Sequence, residues 1–294
     1  MDRPDNSSRR FLFDEADVRG ESVQLGAALT DMLSHQPYSD SVKRLLGEFA
    51  SAVVLISNNL KYAGRIILQA KSDSGLSLAM VECSSERHIR GIARGDIGKE
   101  APEPMDHLLG GQLAITIERE PDQRYQGIIS LEGYSLAQAL EKYFAQSEQL
   151  GARFWLASNG DQSAGLMLQQ LPIQVEADTD RHEQWSTLCL LAETVTAQEL
   201  LNSPPEDLLF KLFHQEKVTV YPPASILFKC RCSQERSAST IAMLPEAEQA
   251  EILAEQGKIV LTCALCGATY QFDQIVPTPD NTRHTLHSTQ IQTG

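Results

Sequence analysis

Apolar residues recur at helical spacing between Lys43 and Leu60, which predicts a helix with one buried face. Short runs that alternate apolar and polar residues follow, separated by turn residues, as is typical of antiparallel sheet. Ser135 is the predicted N-cap of a helix that continues through Tyr143. We therefore predict an N-terminal mixed sheet-and-helix domain over residues 1–175. Its strands are predicted at residues 64–70, 76–81, 89–93, 113–117, 125–131, 154–157 and 166–171.

The pattern changes over residues 176–217, where nine acidic residues accompany three basic ones. Apolar residues at helical spacing predict three short helices, and the second begins at Thr196 or Ala197. The third is predicted to be capped by Ser203, with Pro204 and Pro205 at its start. We interpret this stretch as an acidic helical linker. Its predicted apolar positions are Trp185, Leu188, Leu191, Ala192 and Val195 in the first helix and Leu208, Leu209, Leu212 and Phe213 in the third.

Residues 218–275 form a smaller predicted domain with few apolar residues. About sixty residues with so small a core barely fold alone, because short chains bury too little surface. Residues 276–294 are predicted to be a disordered tail. The fold class is therefore α+β, with an N-terminal domain, a helical linker and a small C-terminal domain.

Length, charge and hydrophobicity limit the classes of partner and the cellular location that the sequence allows. The chain has 294 residues and a formal net charge of -14, which argues against nucleic acid as a partner. Residues 1–10 are polar and no apolar segment follows, so no export signal is predicted. The longest apolar run, residues 52–56, is too short to span a bilayer. We expect a cytoplasmic protein without a membrane partner, whose cysteines stay reduced.

Four of the six cysteines occur as two close pairs, Cys230-Arg-Cys232 and Cys263-Ala-Leu-Cys266, with thirty residues between them. Two such pairs can close a tetrahedral zinc site, because thiolates are soft ligands that suit zinc. An apolar run before the second pair and Gly267 after it favour a metal knuckle between two strands. The sequence predicts one zinc ion per chain, held by these four cysteines.

The first pair is unusual, since structural zinc ligands are normally separated by two to four residues. Within each pair the cysteines are also near enough to form a disulfide if the metal leaves. The same four sulfurs can therefore exist as a zinc site or as two local disulfides. Cys83 and Cys189 lie alone and are predicted to be buried hydrophobic residues.

Catalytic motifs are scarce, and the chain is predicted not to be an enzyme. Four cysteine ligands leave a metal no open position for substrate. The stretch Gly133-Tyr-Ser135 lacks the second glycine of a nucleophile elbow, and helix capping explains its serine.

Around its cysteines the sequence resembles the 33 kDa chaperonin family of bacterial redox-regulated holdase chaperones. The resemblance covers nearly the whole chain, and five short stretches carry it. They are Val18-Arg-Gly-Glu21, residues 124–133 (RYQGIISLEG), residues 143–150 (YFAQSEQL), residues 212–220 (LFHQEKVTV) and residues 228–233 (FKCRCS).

The resemblance implies an ATP-independent chaperone that is inactive while reduced and zinc-bound, and that protects unfolding proteins from aggregation during oxidative stress. Oxidation would link Cys230 to Cys232 and Cys263 to Cys266, release zinc and unfold the C-terminal domain. The linker would then loosen around Trp185, Leu188, Leu191, Leu208 and Leu212. The N-terminal domain would bind clients, and the active oxidised form would be a homodimer.

Two other function classes stay open at this point. The C-terminal domain could be a zinc ribbon that recruits another protein through a purely structural metal, in which case its thiols would resist oxidation. Alternatively, Cys263 and Cys266 could serve a thiol-disulfide oxidoreductase, which would turn over disulfides.

Overall fold

The computed structural model describes residues 6–58, 63–119, 123–147, 150–172 and 181–277. The chain forms two compact units, and the division falls between Cys230 and Arg231. Within the described residues, the first unit contains two six-stranded sheets and the second contains a two-stranded sheet. Helices accompany the sheets in both units, so the predicted α+β class is confirmed. The predicted four-part division of the chain stays a prediction.

The elements are numbered in chain order. The first unit contains β1 (Ser7–Phe13), β2 (Val18–Leu25), α1 (Ala27–Leu33), α2 (Asp40–Ser57), β3 (Gly64–Lys71), β4 (Leu76–Ser84), β5 (His88–Gly95), a 3-10 helix (Pro104–Leu108), β6 (Gln112–Arg119), β7 (Gln123–Ser130), α3 (Leu136–Ser147), β8 (Ala152–Ser158), β9 (Ser163–Gln170), α4 (Arg181–Glu193), α5 (Ala197–Asn202), α6 (Pro205–Phe213), β10 (Val218–Val220), β11 (Ala224–Ser225) and β12 (Leu227–Phe228). The second unit contains α7 (Gln234–Ile241), α8 (Glu246–Gln256), β13 (Ile259–Thr262) and β14 (Thr269–Phe272).

Strands β3 to β9 and helices α2 to α6 occur where the hydrophobic pattern predicts them. The pattern did not predict β1, β2 or α1. In β2 the polar residues Glu21, Ser22 and Gln24 are buried alongside the apolar ones, so the strand shows no alternation. The predicted end of the first helix, at Leu60, lies outside the described residues, and so does most of the predicted tail.

The predicted cap at Ser203 is wrong. Helix α6 begins at Pro205 with Pro204 in the N-cap position, while Ser203 ends α5 in an extended conformation. A residue that precedes a proline avoids helical backbone angles, and two consecutive prolines move the helix start one residue along the chain. The carbonyl of Ser203 instead accepts a hydrogen bond from the buried Gln24 amide, at 2.8 Å.

The first sheet has the strand order β10-β1-β2-β9-β8, and β11 also pairs with β1. The second has the order β12-β5-β4-β3-β6-β7. Neighbouring strands are antiparallel, as predicted, except that β12 runs parallel to β5 in the described sheets. The three short strands β10, β11 and β12 thus attach the segment before Cys230 to both sheets of the first unit.

Helix α2 packs against strands of both sheets and is buried on nearly every side. It begins after Ser39, whose hydroxyl accepts a hydrogen bond from the Val42 amide and so satisfies one of the free N–H groups at the helix start. Leu45, Phe49 and Val53 are fully buried in the main core, where α2 meets both sheets. This helix holds the two sheets of the first unit together.

The linker helices α4, α5 and α6 cover a second face of the first sheet. Strand β9 is buried on both sides, with Met167 in the main core and Leu166 and Leu168 in a separate apolar cluster. The linker helices supply the remaining side chains of that cluster. We call the whole cluster the linker face. Its linker members are Leu188, Ala192, Leu200, Leu208, Leu209, Leu212 and Phe213, with Trp185, Leu191, Val195 and Leu201 partly buried against them.

Aromatic and polar contacts also hold the linker face in place. Phe213 packs edge-on against Phe13, with ring centroids 5.0 Å apart. Arg153 of β8 pairs with Glu193 at the end of α4, at 2.9 Å. No helix among the described residues is both long and apolar enough to cross a membrane.

The linker face yields a matched test within one helix. In α4, Leu188 is 2% exposed and Leu190 is 70% exposed. We predict that Leu188→Ala lowers the free energy of unfolding of the reduced protein by about 2–4 kcal/mol, because it leaves a cavity under α4. Leu190→Ala should change it by less than about 0.5 kcal/mol. Urea unfolding measures both values, and equal losses would show that α4 does not dock through Leu188.

Candidate metal centre

The second cysteine pair lies at the turn of the hairpin that joins β13 to β14. The amide of Cys263 donates to the carbonyl of Ala268, and the amide of Gly267 donates to the carbonyl of Cys263, each at 2.8 Å. Gly267 has a φ of 68°, in the left-handed region that glycine adopts without steric cost. The local sequence therefore folds into the predicted knuckle, which brings Cys263 and Cys266 together.

The first pair lies between β12 and α7. Ser233 is the N-cap of α7, and its hydroxyl accepts from the Arg236 amide at 3.2 Å. The Arg236 guanidinium also donates to the carbonyl of Arg231, the residue between the two cysteines, at 2.6 Å. Cys232 thus lies directly before the N-cap of α7.

The fold brings all four cysteines of the two pairs together. Their sulfur atoms lie within 4.8 Å of one another, and the sulfurs of Cys232 and Cys266 are 3.3 Å apart. All four residues are half-buried, and none of them is in a disulfide. Metal–sulfur bonds of about 2.3 Å at tetrahedral angles place sulfurs about 3.8 Å apart, so this cluster is of the right size for one ion. No other group of His, Cys, Asp or Glu side chains in the described residues is arranged in this way.

A tyrosine and an arginine adjoin the cluster without being ligands. The hydroxyl of Tyr270, on β14, donates to the sulfur of Cys232 at 3.0 Å. This hydrogen bond is the main cause that raises the pKa of Tyr270 to about 12. In the first unit, burial by itself would lower the pKa of the Arg90 guanidinium. Its bond to Glu82, at 2.8 Å, and its contact with Cys230 outweigh burial and raise the pKa of the guanidinium.

Sequence reasoning missed the roles of Tyr270 and Arg90. Tyr270 and Phe272 are half-buried on one face of β14 and alternate with the exposed Thr269 and Gln271, which is the pattern of ordinary core positions. The hydroxyl contacts Cys232 only because the fold brings together two residues that are 38 positions apart in the sequence. Arg90 lies in β5, which nothing in the sequence connects to the cysteines. Neither position carries a local signal that could have revealed its partner.

The two remaining cysteines are buried in the first unit, as predicted. Burial raises the pKa of the Cys83 thiol to about 12, despite a hydrogen bond from Ser57 at 3.1 Å. Burial likewise raises the pKa of the Cys189 thiol to about 11. Both are therefore protonated and unreactive at neutral pH, because the thiolate is the form that reacts.

The predicted linker residues do not belong to the cysteine cluster. Leu188, Leu208 and Leu212 are buried in the linker face, and Trp185 and Leu191 are partly buried there. Their predicted role in gating or client binding stays a prediction.

Thiol labelling tests this division of the cysteines. We predict that iodoacetamide, added to the folded protein with a metal chelator, modifies Cys230, Cys232, Cys263 and Cys266. Cys83 and Cys189 should react only after denaturant is added, because their thiols are buried and protonated. Peptide mass spectrometry identifies the modified residues. Labelling of Cys83 at the rate of Cys263 would contradict this assignment.

Comparison with known proteins gives consistent results. The family model described as Hsp33 protein matches residues 6–273. A protein named 33 kDa chaperonin from Ectopseudomonas mendocina is 46% identical over 271 residues, covering 90% of this chain and 92% of that one. A protein of the same name from Pseudomonas aeruginosa (strain UCBPP-PA14) is 44% identical over 274 residues, with 91% and 92% covered.

A solved structure is similar in fold. The crystal structure of the 33 kDa chaperonin (heat shock protein 33 homolog) from Thermotoga maritima superposes with a TM-score of 0.80. The alignment covers 92% of this chain and 96% of that one, at 19% sequence identity. At that identity, the likeness speaks for the fold alone.

Proposed function

The chain belongs to the Hsp33 family, and on that premise we propose that it is a redox-regulated, ATP-independent holdase chaperone. The reduced, zinc-bound protein is inactive. Oxidation of the cysteine cluster releases zinc, unfolds the C-terminal unit and loosens the linker, and the opened protein then holds unfolding clients.

The observation that carries this proposal is the convergence of four cysteine sulfurs within 4.8 Å, none of them in a disulfide. Four thiolates in a site of this size suit one zinc ion, which prefers tetrahedral sulfur coordination. We assign one zinc per chain to Cys230, Cys232, Cys263 and Cys266. When bound, the metal supplies cross-links rather than catalysis, since all four of its positions are filled by protein.

Oxidation converts these ligands into two disulfides. In each pair, one thiolate sulfur attacks a peroxide oxygen, the O–O bond breaks, and a sulfenic acid and hydroxide form. The second thiol then attacks the sulfenic sulfur, and water leaves as the S–S bond forms. Each disulfide thus consumes one peroxide and removes two ligands. Pairing within each close pair, Cys230 with Cys232 and Cys263 with Cys266, needs the least loop closure.

The second unit has little besides the metal to keep it folded. Among its described residues, the buried apolar side chains are those of Ile241, Ala242 and Ile259. Met243 is 83% exposed, and the buried Gln249 is occupied with backbone groups such as the carbonyl and amide of Val276. In such small units the free energy of metal binding is the free energy of folding. Zinc release should therefore unfold the unit.

Unfolding can spread from there to the linker. The segment between α6 and Cys230 is tied to the sheets by β10, β11 and β12, which contain only three, two and two residues. Helices α4, α5 and α6 have 13, 6 and 9 residues, and helices this short are marginal without tertiary contacts. Loss of the second unit thus removes the anchor at one end of a weakly held segment.

Release of the linker uncovers apolar surface on both sides of the linker face. Leu188, Leu208 and Leu212 leave the sheet, and the partly buried Trp185 and Leu191 go with them. Exposed apolar surface of this kind binds other apolar chains, while the acidic residues between keep the open state in solution. We propose that unfolding proteins are the clients, that the active form is a homodimer, and that the protein acts in the cytoplasm without enzymatic turnover.

The decisive test combines metal content with chaperone activity. We predict one zinc per reduced chain and no effect of that protein on the aggregation of thermally unfolding citrate synthase. After hydrogen peroxide at a mildly unfolding temperature, zinc should be lost and aggregation suppressed. Cys263→Ser should bind zinc much more weakly, because one of the four ligands is missing.

Cys189→Ser is the matched control, since it makes the same change outside the cluster and should keep zinc and redox control. Full zinc affinity in Cys263→Ser would contradict the proposed site. Zinc that survives peroxide would favour a purely structural metal. Catalytic turnover of added disulfides would favour an oxidoreductase.

A further inference from the structure

The hydrogen bond from Tyr270 to Cys232 joins the two cysteine pairs. Tyr270 lies on β14, four residues after Cys266, so it belongs to the hairpin that carries the second pair. Its hydroxyl reaches a sulfur of the first pair, at 3.0 Å. A hydroxyl that donates to a metal-binding sulfur both orients that sulfur and tunes its reactivity.

The position of Tyr270 is fixed by its neighbours on both sides. Tyr270 pairs with Leu261 across the hairpin, and its side chain is half-buried. The next residue, Gln271, is held twice, since its carbonyl accepts from Gln234 of α7 at 3.3 Å and its side-chain oxygen accepts from Lys258 at 3.0 Å. The hydroxyl is thus held towards Cys232 by the hairpin and by the helix that follows the first pair.

We propose that Tyr270 is a positioning residue that restrains the sulfur of Cys232 and so sets how readily an oxidant opens the metal site. The proposal rests on the proposed function. A sulfur lone pair that accepts a hydrogen bond is less available to attack a peroxide oxygen. The sulfur of Cys232 lies 3.3 Å from that of Cys266, and the same hydrogen bond restrains it against the movement that a disulfide with Cys230 requires.

Tyr270→Phe removes the hydroxyl and keeps the ring, so it separates the hydrogen bond from simple packing. Tyr125→Phe is the matched control, because Tyr125 is an exposed tyrosine on β7. Both variants and the parent are loaded with cobalt(II) in place of zinc. A hydrogen bond lowers the energy of the sulfur lone pair, and its loss should move the sulfur-to-cobalt charge-transfer band to longer wavelength.

The second readout is the rate at which peroxide releases zinc from each protein under pseudo-first-order conditions. We expect Tyr270→Phe to release zinc about three- to tenfold faster than the parent, which is the change that one hydrogen bond of ordinary net strength supplies. Tyr125→Phe should match the parent. An unshifted cobalt band together with an unchanged release rate in Tyr270→Phe would overturn the proposal.

A complementary variant covers the case in which Tyr270→Phe does not fold. Replacement of Tyr270 by 3-fluorotyrosine keeps the hydroxyl and makes it a stronger donor. Below the pH at which it ionises, the cobalt band should shift to shorter wavelength and zinc release should slow. A shift in the opposite direction would overturn the proposal. These readouts need only a metal-loaded protein, so they stay decisive even if the parent holds no clients after oxidation.

Discussion

In the proposed resting state, the second unit depends on a metal cross-link that its own apolar side chains cannot replace. Its described residues bury three apolar side chains, whereas a single helix of the first unit, α2, buries most of its length. In the proposed resting state, metal binding by the four cysteine sulfurs therefore supplies most of the free energy that keeps this unit folded. A cross-link made of thiolates is open to oxidants, unlike a core made of leucines. Under the proposed function, the fold of the unit therefore depends on redox conditions.

The first unit is built in the opposite way. Helix α2 is enclosed by both sheets, and Cys83 lies in that core with its thiol protonated. Its second apolar cluster, the linker face, joins the first sheet to three short helices, and the proposed function requires these helices to come away. We infer that the chain separates three levels of stability: a core that resists oxidation, a linker that is marginal without its contacts, and a unit that requires metal. The chaperone proposal needs all three.

Spacing and periodicity were enough to predict the cysteine cluster, the hairpin around Cys263 and the strands β3 to β9, because those signals lie within a few residues of one another. Contacts between distant residues could not be predicted. Glu21 is buried beside Arg10 and accepts a hydrogen bond from Asn58, and burial raises its pKa to about 7. In the sequence, a charged residue such as Glu21 has the character of a surface position. The strand β2 was therefore not recognised from its pattern. The contact of Tyr270 could not be predicted for the same reason, since only the folded chain brings its hydroxyl to Cys232.

The central claim is that oxidation of the cysteine cluster unfolds the second unit and loosens the linker while the core stays folded. Hydrogen exchange measured by mass spectrometry on the reduced, zinc-loaded protein and on the peroxide-treated protein tests this most directly. The account predicts that exchange rises sharply over residues 181–275 on oxidation and stays slow over residues 40–57 and the strands around them. If residues 181–213 stay as protected after oxidation as before it, the linker does not respond to the cysteines and the account is contradicted.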